Sequence, residues 1–245
     1  MPFIRPEHKI IADMLRRMNR QVLTETRCWF GGGTAVVLLY GEYRRSLDVD
    51  FLCADVDGYR EIRNIVVAGG QRTLFGDGVA SVREARADAY GVRMFLEQVG
   101  QPIKFEIIRK ARIALSGAVD DRLGVPVLSA ADMFAEKLLA NADRCMDRSV
   151  AYRDAIDLGR LIEVHGRIPD TALEKAIQAY GEDIERKAVW VVNRLADDNE
   201  LREIAVALQM DRAVATSAIS AFRAECRRIW PHAAIDGESV GQPLV

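Results

Sequence analysis

Residues 28–53 constrain the fold more than any other segment of the sequence. They begin with the apolar triplet CWF, continue through three glycines into the apolar run TAVVLLY, and end with the alternating stretch LDVDFLC. This order predicts a strand, a tight loop, a buried helix and a second strand, and Thr34 could cap the helix. A chain with this segment is expected to contain a sheet with a helix packed on it.

The same segment carries residues suited to phosphate chemistry. Asp48 and Asp50 are two residues apart, so on a strand both carboxylates project from one face. Gly32 and Gly33 lack a Cβ, which lets phosphate oxygens approach the N–H groups that open the next helix. Paired carboxylates can hold the magnesium ions that accompany a triphosphate. The segment predicts a triphosphate site, although a plain turn and a solvated edge strand would each explain one part of it.

A third acid is expected on a neighbouring strand. Residues 92–96 and 103–108 alternate in polarity and predict two paired strands joined by a turn at 100–102. Lys104 and Glu106 share one face of the second strand. Glu106 is therefore the candidate third carboxylate, and a surface strand of alternating charge is the other interpretation.

Sequence patterns predict an α+β fold in two parts. An amphipathic helix is predicted over 8–23, and a mixed sheet with flanking helices is expected within residues 1–125. A C-terminal helical bundle domain is expected over 126–236, and residues 237–245 are predicted to be a flexible tail. Ser129 and Asp132 should begin the first helix of the bundle. Further helices are predicted over 149–165, 170–180, 183–195, 199–208 and 212–230.

Composition excludes several classes of protein. Hydrophobic residues make up 49% of the chain and charged residues 29%, which is typical of a soluble globular protein, and no long apolar run suggests a membrane span. A net charge of -2 argues against binding nucleic acid through the overall field, but not against a local basic groove. The four separated cysteines predict reduced, buried thiols, and the N-terminus lacks the apolar segment of a signal peptide, so a cytoplasmic location is expected. The isolated histidines receive no role.

Four segments together resemble a known family. Residues 30–52, FGGGTAVVLLYGEYRRSLDVDFL, resemble the first motif of the AbiEii/AbiGii nucleotidyltransferase toxin family, within the DNA-polymerase-β-like superfamily. The resemblance continues with IKFEII at 103–108, VLSAADMFAEKLLA at 127–140 and RDAIDLGRL at 153–161. The motifs occur in the family's order and span most of the chain, and the first is the most specific. Many superfamily members have Gly-Ser in the loop, but toxin-type members commonly share the Gly-Gly found here.

This resemblance implies a nucleotidyltransferase fold and an enzyme that moves a nucleoside monophosphate from an NTP to a hydroxyl acceptor. It implies that Asp48, Asp50 and Glu106 are catalytic and hold two Mg2+ ions. The residues that it places at the nucleotide are Gly32, Gly33, Thr34, Arg45, Ser46, Lys137 and Asp157. An exposed helical lysine is the ordinary alternative for Lys137, and a surface ion pair with neighbouring arginines is the alternative for Asp157.

The same resemblance implies an acceptor and a partner. A tRNA 3′ end or another RNA is the expected acceptor, in a toxin–antitoxin or phage-defence setting with a cognate antitoxin. A small-molecule nucleotidyltransferase that modifies an antibiotic is the alternative enzyme. A silent binding protein is disfavoured, because clustered carboxylates repel one another without metal. An RNA acceptor predicts a basic groove that leads away from Asp48, built partly from arginines of the helical half.

Overall fold

The computed structural model describes residues 3–76 and 78–236 of the 245-residue chain. These residues form two compact units that divide between Met133 and Phe134. The first unit holds the strands, and the second is helical. The predicted tail, 237–245, lies outside the described residues.

The first unit alternates helices and strands before it forms a run of strands. Its elements are α1 (Pro6–Arg16), α2 (Arg20–Glu25), β1 (Cys28–Gly31), α3 (Gly32–Leu39), β2 (Val49–Cys53), α4 (Val56–Gly69), β3 (Ala80–Ser81), β4 (Arg86–Ala87), β5 (Gly91–Gln98), β6 (Gln101–Arg109), β7 (Gly117–Asp120) and β8 (Val125–Leu128). Helix α5 (Ala130–Arg144) spans the division. The helices that follow are α6 (Arg153–His165), α7 (Asp170–Tyr180), α8 (Asp183–Arg194), α9 (Asp198–Ala207) and α10 (Arg212–Ile229). Short 3-10 helices occur at Gly70–Thr73 and Arg148–Val150.

Strands of the described chain form one mixed sheet in the order β3-β5-β6-β2-β1-β8-β7, and β4 also pairs with β5. Strand β2 is antiparallel to β1 and parallel to β6, while β5 and β6 are antiparallel. Helix α3 packs against β1 and β2, and α4 packs against β2 and β5. The prediction of an α+β fold, with a mixed sheet followed by helices, is confirmed.

The two faces of the sheet carry different residues. Phe51 packs between Phe30 and Phe105, with ring centroids 5.4 and 5.7 Å apart, and all three are fully buried. Aromatic pairs of this kind contribute about 0.5–1.5 kcal/mol beyond the area they bury. Since successive residues of a strand point to opposite faces, Asp50 and Glu106 project from the other face. The acids interrupt an apolar strand because only one of its faces is part of the aromatic core.

The N-terminal helix predicted over 8–23 is in fact two helices. Helix α1 ends at Arg16, and the side chain of Asn19 caps α2 by accepting the Val22 N–H. Between the helices, Met18 forms a β-bridge with Phe75. The asparagine cap and this bridge interrupt the helix, although the apolar spacing continues across the interruption. The pattern therefore predicted one helix where there are two.

The helix predicted over 149–165 begins later than expected. Ala151 and Tyr152 both have a φ of +49°, in the left-handed region, and α6 starts at the next residue. A non-glycine residue in this region interrupts an α-helix because its Cβ approaches the following carbonyl oxygen. The described cysteines are all free and buried, as predicted. No helix in the described part of the chain combines the length and the apolar character needed to cross a membrane.

Helices α6 and α10 approach closely at Gly159. A Cβ on Gly159 would lie 2.0 Å from the backbone oxygen of Ala218. We therefore expect Gly159→Ala to lower the free energy of unfolding by about 1–3 kcal/mol, since the helices must separate. Urea denaturation measures this loss, and Ser220→Ala on the exposed side of α10 is the control. Equal stability of Gly159→Ala and the wild type would contradict the close approach.

Candidate active site

Neighbouring side chains surround residues 31–33, called here the glycine loop, where β1 passes directly into α3. Gly32 has a φ of +68°, in the region that favours glycine. A Cβ there would lie 2.6 Å from Oδ2 of Asp50, and a Cβ on Gly33 would lie 2.5 Å from a guanidinium nitrogen of Arg44. Arg44 is buried. The loop backbone therefore runs directly beside an acid and a buried cation, with no room for side chains of its own.

Thr34 does not cap α3, so this prediction is wrong. The helix begins at Gly32, and its N-cap is Gly31, which has no side chain. The Thr34 hydroxyl instead lies 2.8 Å from the hydroxyl of Ser46, in the segment between α3 and β2. Thr34 is buried, and this hydrogen bond connects Ser46 to the first turn of α3.

Arg45 precedes Ser46 and lies at the surface. Its side chain is 43% exposed, and its Nε lies 3.3 Å from Oε1 of Glu7 on α1. An exposed ion pair of this kind contributes about 0–1 kcal/mol to stability. The guanidinium can therefore exchange this partner for a phosphate at little cost.

A cross-strand row brings the acids together. Asp50 on β2 pairs with Gly31 on β1 and with Glu106 on β6. Glu106 pairs in turn with Arg93 on β5. Because directly paired residues project from the same face, the structure places the start of the glycine loop, two carboxylates and a guanidinium side by side.

Asp48 lies one residue before β2 rather than inside the strand. Its side chain, like that of Asp50, is half-buried. The hydrogen bond from Lys104 to Glu106 raises the pKa of Lys104 against a smaller effect of burial, and the charges of Asp48 and Asp50 raise it further. All three predicted acids thus raise the pKa of the Lys104 ammonium group.

Two cations hold Glu106. Nζ of Lys104 lies 2.6 Å from its Oε2, and Nε of Arg93 lies 3.3 Å from its Oε1. Glu106 is 15% exposed, whereas both cations are partly open to solvent. The alternating sequence places Lys104 on the same face as Glu106, but it does not indicate the contact with Arg93. Only the register of β5 against β6 could identify that contact.

Asp48 and Asp50 have the donor chemistry that magnesium requires. In the described ranges, no group of three or more His, Cys, Asp or Glu side chains is arranged to hold a metal ion by itself. Magnesium in triphosphate sites is held by one or two carboxylates and takes its other ligands from phosphates and water. Asp50 beside the glycines, with Asp48 two residues before it in the chain, fits that pattern. Glu106, the third predicted acid, is held by two cations.

Lys137 and Asp157 meet inside the second unit. Nζ of Lys137 lies 2.5 Å from Oδ2 of Asp157 and 2.9 Å from Oδ1 of Asp154. All three side chains are at most 5% exposed. The structure thus contradicts the alternatives of an exposed lysine and of a surface pair between Asp157 and its neighbouring arginines. Lys137 is a buried cation between two carboxylates.

Asp154 completes this group and was not among the residues predicted from the sequence. Arg144 also binds its carboxylate, through Nε at 2.6 Å and Nη2 at 2.9 Å. Burial alone would raise the pKa of Asp154, but the charge of Lys137 and the hydrogen bond and charge of Arg144 outweigh it and hold the pKa well below its usual range. The spacing of Asp154 and Asp157, three residues apart on one helix, was the available signal.

Comparisons with known proteins identify the family of the chain and proteins of similar fold. The model of a family described as nucleotidyl transferase AbiEii toxin, type IV toxin–antitoxin system, matches residues 13–232. A candidate nucleotidyltransferase from H. pylori has a similar structure, with a TM-score of 0.53 and 16% identity over 93% of this chain and 96% of that one. JHP933 from Helicobacter pylori gives the same TM-score and identity over 91% and 92%. No curated protein matches significantly.

The fold and the family model together define the class of protein: the chain is a nucleotidyltransferase. It belongs to the AbiEii family of nucleotidyltransferase toxins, whose model matches most of its length. The resemblance inferred from the sequence motifs and the nucleotidyltransferase-type fold are therefore confirmed. The two structures from H. pylori, at 16% identity, support the fold alone.

Proposed function

We propose that the protein transfers a nucleoside monophosphate from a magnesium-bound NTP to a hydroxyl of an RNA, with release of pyrophosphate. The observation that carries this proposal is the cross-strand row that sets the glycine loop, Asp50 and Glu106 on one face of the sheet. A triphosphate at the loop would place its phosphates beside the carboxylates that suit the metal.

The donor side uses backbone and side-chain groups of the first unit. The N–H groups of Gly32 and Gly33 open α3 and would bind phosphate oxygens. Ser46 and Arg45 offer further donors to the same oxygens, and Thr34 holds the Ser46 hydroxyl. Asp48 and Asp50 would hold the metal. Bound magnesium would neutralise charge on the attacking and leaving oxygens.

Glu106 is the proposed acid at the attacking hydroxyl, as a third metal ligand or as the group that accepts its proton. Lys104 and Arg93 support this role because they hold the two carboxylate oxygens in place. Both cations are half exposed, so an incoming acceptor could displace either of them. Fixing a catalytic group in this way favours transfer by reducing the motion it must lose.

Lys137 and Asp157 keep the nucleotide-binding role that the family motif implies. In the second unit, the carboxylates of Asp154 and Asp157 orient the Lys137 ammonium. The family description names a type IV toxin–antitoxin system, and an antitoxin protein is accordingly the proposed partner, with phage defence as the proposed setting.

A basic and aromatic surface on the same face of the sheet favours RNA as the acceptor. Arg93 pairs across the strands with Arg86 of β4. Phe95, two residues further along β5, is 36% exposed, and the guanidinium carbon of Arg83 lies 3.7 Å from its ring centroid. Cations that bind phosphates and exposed rings that stack on bases are typical of single-stranded nucleic-acid sites. A small antibiotic would not need this extended surface.

Labelled substrates test the acceptor. The protein should be incubated with each α-labelled NTP and magnesium, together with total RNA or with aminoglycosides. Label in RNA is the expected result, and label in the aminoglycoside alone would favour the antibiotic-type alternative. If neither is labelled while the NTP binds, the proposed acceptors are wrong but the donor site is not.

Phe95→Ala should weaken RNA binding without affecting the NTP. Loss of one stacked base costs about 1–3 kcal/mol, so the KM for RNA should rise about 5- to 150-fold. Val119→Ala, which shortens an exposed apolar side chain on β7 at the other edge of the sheet, is the matched control. An unchanged KM for RNA in an active Phe95→Ala enzyme would show that the acceptor lies elsewhere.

A further inference from the structure

A buried histidine connects α1 to the segment that carries Ser46. The His8 side chain is 0% exposed, its Nδ1 lies 2.8 Å from Oε1 of Glu42, and the backbone N–H of Ser46 donates to its Nε2 at 3.4 Å. We propose that His8 is a positioning residue of the nucleotide site, which holds Ser46 by accepting its backbone N–H. The inference rests on the proposed function, because it assumes that the glycine loop binds a triphosphate.

The two partners of His8 determine where its proton lies. A carboxylate accepts only, so Nδ1 must carry the hydrogen that faces Glu42. A backbone N–H donates only, so Nε2 must present its lone pair to Ser46. The neutral ring with a proton on Nδ1 satisfies both partners, whereas a doubly protonated ring would set one N–H against another.

Burial favours the same neutral form. It lowers the pKa of His8, against the hydrogen bond and charge of Glu42, which raise it. The other charged groups that influence the ring are Arg5, which lowers the pKa, and Glu7, which raises it. At neutral pH the ring is therefore expected to remain an acceptor toward Ser46.

Glu42 is itself held in place, and it fixes the orientation of the imidazole. Its carboxylate accepts the backbone N–H groups of Ile4 and Arg5, at 2.6 and 3.1 Å. Burial acts to raise the pKa of Glu42, but these hydrogen bonds and His8 outweigh it, so the carboxyl stays charged. A fixed anion on Nδ1 also fixes the direction of the Nε2 lone pair.

Ser46 connects His8 to the glycine loop. Its hydroxyl contacts Thr34 in the first turn of α3, and it lies 3.4 Å from where a Cβ on Gly33 would be. Asp48 follows two residues later along the chain. Movement of the Ser46 backbone would therefore shift the groups that donate to phosphate and would also shift Asp48, the proposed metal ligand.

Two variants of His8 distinguish a role in positioning Ser46 from a role in packing alone. Asparagine can place its amide nitrogen near Nδ1 and keep a donor for Glu42, but it has no acceptor at the Nε2 position. Glutamine can place its amide oxygen near Nε2 and accept the Ser46 N–H. We expect His8→Asn to raise the Kd for each magnesium–NTP about 5- to 10-fold, the effect of one lost hydrogen bond, and His8→Gln to restore most of it.

Isothermal titration gives the Kd, steady-state assays give KM and kcat, and thermal melting reports the cost to the fold. A rise in the KM for NTP that exceeds the fall in kcat supports positioning. If both variants bind NTP as the wild type does, or lose affinity equally and in proportion to stability, His8 is structural only and the proposal is overturned. If the wild type itself binds no magnesium–NTP, the proposed function fails, and this inference fails with it.

Nitrogen-15 NMR of the wild-type protein tests the same proposal without a substitution. The imidazole shifts should identify a neutral ring protonated on Nδ1, and the His8 ring and the Ser46 amide should both shift when magnesium–ATP is added. A proton on Nε2, or no response to a nucleotide that titration shows to bind, would overturn the proposal. This result does not depend on whether the variants fold.

Discussion

Asp48→Asn is expected to reduce nucleotidyl transfer by about 10³-fold or more, because metal-ion stabilisation of the transition state amounts to several kcal/mol. Asparagine has nearly the same shape, but it lacks the negative charge that the proposed magnesium site requires. Asp48 lies just before β2 and is half-buried, so the substitution should leave the fold intact. A substitution at Asp50 would be harder to interpret, because its carboxylate lies directly against Gly32 and its loss could alter the glycine loop.

Incorporation of labelled nucleotide measures this loss, and titration with magnesium and NTP measures metal-dependent binding. The control is Asp57→Asn on α4, an aspartate that is 86% exposed and pairs only with Arg60 among the contacts described. Transfer at the wild-type rate by Asp48→Asn would exclude Asp48 from the metal site. Loss of transfer with unchanged magnesium–NTP affinity would instead assign Asp48 to the chemical step.

Asp154→Asn should lower the free energy of unfolding of the second unit by about 3–5 kcal/mol, the cost of removing one partner from a buried ion pair. The substitution leaves Lys137 and Arg144 with one carboxylate fewer to compensate them. Urea denaturation at neutral pH measures the difference. Asp170→Asn, which removes an exposed partner of Arg167, should change stability by less than about 0.5 kcal/mol.

This cluster also predicts how stability depends on pH. Because the pKa of Asp154 is held below its ordinary value of 3.8, the ionised carboxylate stabilises the folded state at every pH above that value. The contribution should decline as the pH falls below 3.8 toward the lower pKa of the folded state. The difference in free energy of unfolding between wild type and Asp154→Asn should therefore become smaller in strong acid. A difference that does not change with pH would contradict the ion pair.

The ion pairs of Lys137 with Asp154 and Asp157 affect how a Lys137 variant must be interpreted. Lys137→Ala would leave Asp154 and Asp157 without the cation between them, so a fall in NTP affinity could reflect instability. Asp154→Asn keeps Lys137 and changes only its surroundings. Comparing NTP affinity with unfolding free energy in both variants separates a nucleotide contact from a structural role.

Much of the active-site region could be predicted from the sequence because its signals are local. The strand, loop, helix and second strand of residues 28–53 follow from apolar spacing and from glycine. The predicted cap at Thr34 failed because the glycines before it begin the helix. The long N-terminal helix failed because an asparagine cap interrupts a continuous apolar pattern.

Other residues of the site were beyond sequence reasoning. Nothing near His8 in the chain indicates that Glu42 and Ser46 contact its two ring nitrogens. Arg93 likewise reaches Glu106 only through the pairing of β5 and β6. Helical spacing alone left the surroundings of Lys137 open, because its partners lie on another helix.

By itself the sequence determined most of the local elements, the family and the types of group available for chemistry: glycines at a helix start and aspartates two residues apart. These features depend on backbone geometry and spacing over a few residues, which a sequence displays directly. Only the tertiary structure decided which groups meet, such as Asp50 with Glu106, Lys137 with Asp154, and His8 with Ser46. Strand register and helix packing join residues far apart in the chain, and local propensity carries no information about those distances.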